Sequence, residues 1–224
     1  MISTGNDIVA LKSVNKIRTN EYNFYSKILA AAEQALHCQP EINGIPFENY
    51  VWLLWSVKES AYKCLKRNDP SLLFSPTKII VTHIKTPLNQ SAFKSADVEL
   101  ENPAGEDDFY NGKVQYGPKI FYFRSIITGE WISTVVNEHE NFENVHWGIR
   151  TIDNTGYKHQ SNAVRQFVLS KLNSIYDNDL QIVKSPVGYP VVLNDELDMC
   201  IPVSMAHDGN FVAYSFISPS INNN

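Results

Sequence analysis

Apolar residues recur every three or four positions in three stretches of the chain, as they do on the buried face of an α-helix. These stretches are residues 22–36, 50–65 and 160–176. Asn20 precedes the first as its predicted N-cap, and Asn68-Asp69-Pro70 ends the second. The pattern therefore predicts three amphipathic helices.

Shorter runs that are rich in β-branched and aromatic residues predict strands. These runs are residues 7–11, 78–84, 120–127, 131–136, 145–152, 180–183, 189–193 and 211–217. Thr128-Gly129 separates the third run from the fourth and predicts a hairpin. The polar stretch 89–118 predicts loops with one weak strand, and 137–144 predicts a linker.

The order of these elements predicts the α+β class with two halves of unequal size. A strand, two helices, a strand and a hairpin precede the linker, and a strand, a helix and three strands follow it. We place one domain at residues 1–140 and the other at 141–224. No internal sequence repeat is visible, so self-similarity does not indicate a duplication.

Composition narrows the functional classes. The chain has 224 residues, 43% of them hydrophobic, which suffices for a substantial core. No apolar run approaches the roughly 18 residues of a membrane span, so we expect no membrane insertion. The net charge of −5 argues against nucleic-acid binding. Three cysteines, Cys38, Cys64 and Cys200, fit no metal spacing and favour the reducing cytoplasm.

The helix predicted over residues 50–65 concentrates charged and aromatic side chains. The pairs Lys58-Glu59 and Tyr62-Lys63 are four residues apart, so they lie one above the other on one side of the helix. A carboxylate and an amine on rigid backbone can offer a metal ligand and a phosphate-binding cation together. The same spacing is also that of an ordinary surface ion pair.

Four stretches together resemble the motifs of the 4′-phosphopantetheinyl transferase superfamily. They are Gly5-Asn6-Asp7-Ile8-Val9, Trp55-Ser56-Val57-Lys58-Glu59-Ser60-Ala61-Tyr62-Lys63, Gly188-Tyr189-Pro190 and Val203-Ser204-Met205-Ala206-His207-Asp208-Gly209. The motif order resembles that of the short holo-acyl-carrier-protein synthases, whereas the length resembles that of the two-halved members. The resemblance implies a monomeric pseudo-dimer of two similar α+β halves. Each half would pack a small antiparallel sheet with a long helix, and the active site would lie at their junction.

The same resemblance implies an activity: Mg²⁺-dependent transfer of 4′-phosphopantetheine from coenzyme A to a serine of an apo carrier protein, with release of 3′,5′-ADP. It implies Asp7 and Glu59 as metal ligands, which act in catalysis together with Lys63. Lys63 would neutralise the phosphate charge and protonate the leaving group, and Lys58 is an alternative cation. Either Glu59 or a metal-bound water is the implied base.

The coenzyme A end of the implied site is less complete. His207 and Ser204 are the implied contacts, and Arg165 or Lys158 would replace an arginine expected near Ser161 and Asn162. In the Gly188-Tyr189-Pro190 motif, Tyr189 stands where the family has lysine. Ala206 replaces a serine, and Val9 stands where two-halved enzymes often carry a third acid.

Carrier proteins are usually acidic near the modified serine, so charge complementarity predicts a basic docking face. The candidates are Lys12, Lys16, Arg18 and Lys27, which could equally be ordinary solvated residues.

Two other classes stay open. A non-catalytic relative that binds a carrier protein or coenzyme A would account for Val9, Tyr189 and Ala206. An unrelated α+β protein with chance motif matches would leave Asp7 as a turn cap and His207 as a turn residue. His139 and His146, with Glu138, Glu140 and Glu143, fit no standard metal spacing, and we interpret them as part of a solvated linker.

Overall fold

The computed structural model describes residues 3–42, 44–88, 99–102 and 105–218. These residues form five α-helices and twelve β-strands. The helices are α1 Lys16–Thr19, α2 Tyr22–Tyr25, α3 Ala31–His37, α4 Phe47–Asn68 and α5 Tyr157–Tyr176. The strands are β1 Thr4–Ala10, β2 Ile80–Lys85, β3 Leu100–Glu101, β4 Tyr110–Tyr116, β5 Lys119–Ile127, β6 Trp131–Asn137, β7 Val145–Thr151, β8 Leu180–Lys184, β9 Pro190–Asn194, β10 Leu197–Asp198, β11 Val203–Asp208 and β12 Phe211–Ile217.

The described strands form three antiparallel sheets. The largest has the order β1-β6-β5-β4-β2, the second β11-β12-β7-β3 and the smallest β10-β9-β8. Helix α4 packs on the largest sheet, mainly against β1 and β6, and α5 packs on β11 and β12. Strand β1 also packs against β11 and β12. We call the place where β1 meets these two strands the junction.

All seven residues of β1 are buried, because both of its faces are covered. Val9 belongs to the apolar cluster beneath α4, whereas Ile8 and Ala10 belong to a second cluster shared with Ala206 and Phe211. Successive side chains of a strand point to opposite faces, so β1 contributes to both clusters. A third cluster lies between α5 and the second sheet.

The structure confirms the α+β class with antiparallel sheets, and both long helices, α4 and α5, form where periodicity predicts them. The hairpin strands β5 and β6 are also confirmed. The similarity of the two halves and the boundary near residue 140 stay predictions. Strand β3 precedes that boundary yet pairs with β7, so the second sheet takes one strand from the first predicted domain.

The single helix predicted over residues 22–36 is wrong. Short helices α1 and α2 lie there or just before, and α3 starts afresh at Ala31. The reason is Glu33, which is fully buried and accepts the N–H of Ala30 at 2.8 Å. This contact ends the preceding turn and holds Ala30 in an extended conformation. Helical periodicity reflects local sequence only, so it does not reveal that distant residues hold the Glu33 carboxylate in this position.

The segment 89–118 contains more strand than predicted. Residues 89–98 and 103–104 lie outside the described residues, but β4 runs for seven residues. It escapes recognition because Val114 is its one fully buried side chain and Gly112 interrupts the pattern. A side chain at Gly112 would overlap the carbonyl of His83 and the ring of Phe123, so close packing excludes any larger residue there.

A buried ion pair joins α3, α4 and β2. Lys58 and Glu33 are 2.6 Å apart with both side chains fully buried, and Lys58 Nζ also donates to the carbonyls of Ile28 and Pro76. The other oxygen of Glu33 accepts the N–H of Val81 at 2.7 Å. Burial lowers the pKa of Lys58, and the charge of Glu33 opposes that shift. All three ammonium protons are occupied, so the structure contradicts the prediction that Lys58 contacts phosphate.

Replacing Lys58 with methionine should leave a buried, unpaired carboxylate and cost about 3–5 kcal/mol in the free energy of unfolding. Urea titration measures the loss. The double variant Glu33→Gln/Lys58→Met should recover part of it, because an uncharged amide costs less to bury.

Lys12→Met is the matched control, because it breaks an exposed ion pair with Glu130 and should change stability by less than about 0.5 kcal/mol. Equal losses for the Lys12 and Lys58 variants would contradict this account.

Candidate functional site

The backbones of β1 and α4 touch where they cross. A side chain at Gly5 would overlap the carbonyl of Ser60 and crowd the sulfur of Cys64. Glycine is therefore required at position 5 by close approach rather than by an unusual backbone angle. The crossing places Asp7, two residues further along β1, opposite the turn of α4 that carries Glu59 and Lys63.

Lys63 reaches across this crossing to β1. Its ammonium donates to the carbonyl of Asn6 at 2.8 Å and lies 3.3 Å from Asp7 Oδ1. The side chain of Lys63 is 26% exposed and that of Asp7 is 11% exposed, so the pair lies at the edge of solvent. The other carboxylate oxygen, Oδ2 of Asp7, is buried, and Ser56 and the backbone N–H of Ile8 offset part of the cost of burying this carboxylate.

The two carboxyl groups near Lys63, those of Asp7 and Glu59, have raised pKa values. Burial raises the pKa of Asp7, and the charge of Lys63 opposes the rise. Burial also raises the pKa of Glu59; Lys63 opposes that rise and the negative charge of Asp7 adds to it. Asp7, Glu59 and Lys63 thus lie close enough to influence one another. Keeping both carboxylates ionised in this buried place is unfavourable, and a further cation bound near them would reduce that free-energy cost.

A cavity of about 240 Å³ opens beside Lys63 at the junction. We call it the junction cavity; its lining residues are Thr4, Tyr62, Lys63, Lys66, Arg67, Val187, Gly188, Tyr189, Pro190, Val203, Ser204 and Met205. Three of these residues are cations and none is acidic. It therefore suits an anionic ligand that also has apolar parts.

Of the residues predicted to contact coenzyme A, Ser204 lines this cavity, and its hydroxyl accepts the N–H of Asn6 at 3.0 Å. His207 lies on β11 rather than in a turn, with its ring 5.5 Å from that of Tyr157 at the start of α5. Burial lowers the pKa of His207, and the nearby charge of Lys63 lowers it further. The structure therefore brings His207 and Ser204 to the same region as Asp7, Glu59 and Lys63.

Two predicted residues are not brought to the cavity. Lys58 points into the core toward Glu33, on another side of α4. Arg165 lies on α5, its buried Nε lacks a hydrogen-bond acceptor in the described part of the chain, and it is absent from the cavity wall. The rotation of α5 decides where Arg165 lies, and the sequence alone does not reveal that rotation.

Lys66 and Arg67 also line the cavity, although none of the four family motifs includes them. They follow Lys63 by three and four residues, so helical spacing places all three on one side of α4. This spacing could have indicated both residues from the sequence. No local pattern predicts the bonds of Arg67 to the carbonyls of Val203 and Pro190, because these residues are distant in sequence.

The histidine and glutamate cluster of residues 138–146 is not a metal site in the structure. Within the described residues, no group of three or more His, Cys, Asp or Glu side chains is placed to share a metal ion. His146 lies in β7, stacks on Phe216 with ring centres 4.7 Å apart and contacts Asn102 and Ser218. The linker interpretation is therefore wrong for His146, which is part of the second sheet.

Comparison with known families gives one result. Residues 3–102 match the family model of the 4′-phosphopantetheinyl transferase superfamily. The match spans β1, α4 and β3, and it contradicts the hypothesis of chance motif resemblance in an unrelated protein.

The match covers somewhat less than half of the chain, and residues 103–224 lie outside it. No curated protein and no solved structure gives a significant match. None of the described helices is long and apolar enough to cross a membrane.

Replacing Gly5 with alanine should push β1 away from α4 and cost about 2–4 kcal/mol in the free energy of unfolding, because the new methyl group meets backbone rather than a movable side chain. Chemical denaturation measures the change. Gly129→Ala is the control, since nothing lies within contact of a side chain there. Equal midpoints for the two variants would refute the close approach.

Replacing Glu59 with glutamine should stabilise the metal-free protein at pH 7.5 by up to about 1 kcal/mol. A carboxyl whose pKa is raised by folding contributes stability at acidic pH that is lost as the pH rises through its folded-state pKa. The neutral amide avoids that loss, so the advantage should shrink as the pH falls toward 4. Urea titrations at several pH values measure it.

Glu48→Gln is the matched control on the same helix. Glu48 lies in the first turn of α4, where a negative charge is favourable, so its removal should be neutral or destabilising. A Glu59→Gln protein that is less stable than wild type at pH 7.5 would overturn the electrostatic description.

Proposed function

We propose that this protein transfers the 4′-phosphopantetheine group of coenzyme A to a serine hydroxyl of an apo carrier protein and releases 3′,5′-ADP. The observation that carries the proposal is the grouping of Asp7, Glu59 and Lys63 beside a cationic cavity, in a chain whose residues 3–102 match the transferase superfamily. A binding module would need the cations, but it would have no use for two carboxylates beside them.

The residues present fit Mg²⁺. This ion commonly takes one or two protein carboxylates and completes its shell with phosphate oxygens and water. Asp7 Oδ2 is a buried carboxylate oxygen, and the negative charge of Asp7 contributes to the raised pKa of Glu59, so a cation bound near both would stabilise their ionised forms. When bound there, Mg²⁺ would neutralise the pyrophosphate charge.

The reaction forms a bond between the serine oxygen and the β-phosphorus of coenzyme A and breaks the bond from that phosphorus to 3′,5′-ADP. Lys63 is placed to neutralise the phosphate charge and to donate a proton to the leaving group. The serine proton must go to a base. Burial raises the pKa of Glu59, which makes its carboxylate a better acceptor and supports that role.

Coenzyme A suits the junction cavity in charge and in the apolar character of part of its wall. Lys63, Lys66 and Arg67 supply positive charge for its phosphates, and Tyr62, Met205 and Pro190 supply apolar wall for its adenosine and pantetheine parts. Ser204 adds a hydroxyl. His207 lies near the far end of β11, outside the cavity wall but close enough to Lys63 for that charge to lower its pKa, and it is our candidate for a further phosphate contact.

The carrier protein would meet the basic surface after β1. Lys12 pairs with Glu130 and Lys16 with Glu48, so these two lysines are partly neutralised. Arg18 lies over the ring of Phe24 and, like Lys27, has no acidic partner among the described residues. We propose that Arg18 and Lys27 contribute most to docking an acidic carrier, with the protein acting as a cytoplasmic monomer.

A non-catalytic relative is the second candidate, and Val9 is the observation that favours it. Its side chain packs into the core beneath α4, so this position supplies no third carboxylate. Tyr189 and Ala206 also lack the polar groups of the family motifs.

Mass spectrometry tests transfer directly. Apo carrier proteins of fatty-acid, polyketide and peptide synthesis are incubated with the protein, coenzyme A and Mg²⁺. We expect one carrier to gain a single phosphopantetheine, and Glu59→Gln to reduce the rate by at least about 100-fold. Glu48→Gln should retain activity.

Coenzyme A binding without carrier modification, across all three carrier classes, would support the non-catalytic relative instead. Transfer at the wild-type rate by Glu59→Gln would show that Glu59 has no role in catalysis.

A further inference from the structure

Arg67 crosses the junction cavity from α4 to the second half of the chain. Its Nη2 donates to the carbonyl of Val203 at 2.7 Å and to that of Pro190 at 3.3 Å. Its guanidinium lies 5.0 Å from the ring centre of Tyr189. The fork is therefore held in place by β9, β11 and an aromatic ring, and it needs no ligand to order it.

These contacts leave most of the guanidinium free. Arginine has five N–H donors in a fixed plane, and the two carbonyls occupy two of them. The other three have no acceptor among the described residues. Both bonds are donated by Nη2, so the N–H groups of Nε and Nη1 stay available as single charge-assisted donors to a phosphate oxygen.

Two cavities border Arg67, and their charges differ. The smaller one, about 180 Å³, is lined by Asp198 as well as Arg67, and that carboxylate would repel an anion. The junction cavity has no acidic residue in its wall. An anionic group would therefore approach Arg67 from the junction cavity.

The spacing along α4 separates two anion sites. Lys63 and Arg67 are four residues apart, so their backbone positions differ by about 6 Å along the helix axis. Lys63 adjoins Asp7, at the end of the cavity assigned to the pyrophosphate and its metal. Arg67 lies about one helical turn further along α4, over the ring of Tyr189. One anionic group would not engage both cations fully, whereas a ligand with two separated phosphate groups would.

We propose that Arg67 recognises the 3′-phosphate of coenzyme A, with Tyr189 holding its guanidinium in the binding orientation. This inference rests on the proposed function, because that function places the pyrophosphate at Lys63. It also gives Tyr189 a purpose. A lysine here would repel Arg67, whereas the tyrosine ring attracts it. In this chain the phosphate-binding cation comes from α4 instead of from the Gly188-Tyr189-Pro190 turn.

Binding calorimetry with two nucleotides tests the proposal without any need for turnover. Adenosine 3′,5′-bisphosphate and AMP differ by the 3′-phosphate alone. Wild type should bind the bisphosphate at least about tenfold more tightly, as expected for charge-assisted hydrogen bonds. Arg67→Met should abolish that preference and leave AMP affinity within about threefold of wild type. Arg67→Lys, which keeps the charge without the fork, should retain part of it.

Because Arg67 also bonds Val203 and Pro190, Arg67→Met could disturb the fold, and unchanged AMP binding guards against that. A second variant, Tyr189→Leu, leaves Arg67 in place, and it should weaken bisphosphate binding more than AMP binding. Lys12→Met, which removes an exposed lysine that pairs with Glu130 and does not line the cavity, should change neither affinity.

The outcomes separate this inference from the transferase proposal. An Arg67-dependent preference for the bisphosphate supports the inference even if no carrier protein is modified. A preference that persists in Arg67→Met, or its absence in wild type, overturns the inference, even if phosphopantetheine transfer is observed.

Discussion

The site depends on the contact between the backbones of β1 and α4. Gly5 lets the strand approach the carbonyl of Ser60, and no residue with a side chain fits there. At that separation Lys63 can bond the carbonyl of Asn6 and pair with Asp7. Two elements that are about fifty residues apart in sequence thereby present two carboxylates and one amine in a single place. Rigid backbone, rather than a loop, sets their spacing.

The same arrangement is costly for the fold. Strand β1 is covered on both faces, yet it carries polar side chains at its centre. Both polar atoms of the Asn6 amide are buried without a hydrogen-bond partner in the described residues. Each such group costs about 1–3 kcal/mol. The apolar clusters on either side of β1 offset this cost, and the unsatisfied polar groups lie where the proposed chemistry takes place.

The sequence was informative where one local pattern decides the outcome. Helix α4 follows from its periodicity, and the four-residue spacing places Lys63 one turn after Glu59 on the same side of the helix. The contact of Lys63 with Asp7 depends instead on the crossing of β1 and α4. The prediction that Lys58 contacts phosphate is wrong, because Lys58 points in another direction around the helix and pairs with Glu33, 25 residues earlier in the chain. Glu33 also explains the broken first helix, so one buried ion pair accounts for two errors.

Other misses have a different origin. Arg67 shares a helix face with Lys63 and could have been named from spacing alone, but its value depends on Val203, Pro190 and Tyr189, which reach it through tertiary packing. Strand β4 lacks the alternation of a half-buried strand, because Gly112 occupies a position where β2 and β5 come too close for a side chain. The contacts of Arg67 and the close packing at Gly112 both depend on residues that are distant in sequence, so no local pattern predicts them.

The central claim is that Asp7 and Glu59 share one divalent cation beside Lys63. A crystal of the wild-type protein with Mn²⁺ and 3′,5′-ADP tests it most directly, since manganese gives an anomalous signal and takes the same oxygen ligands as magnesium. We predict an anomalous peak bonded to a carboxylate oxygen of each residue, with the nucleotide in the junction cavity. A peak elsewhere, or none at these two carboxylates while the nucleotide is bound, would contradict the account.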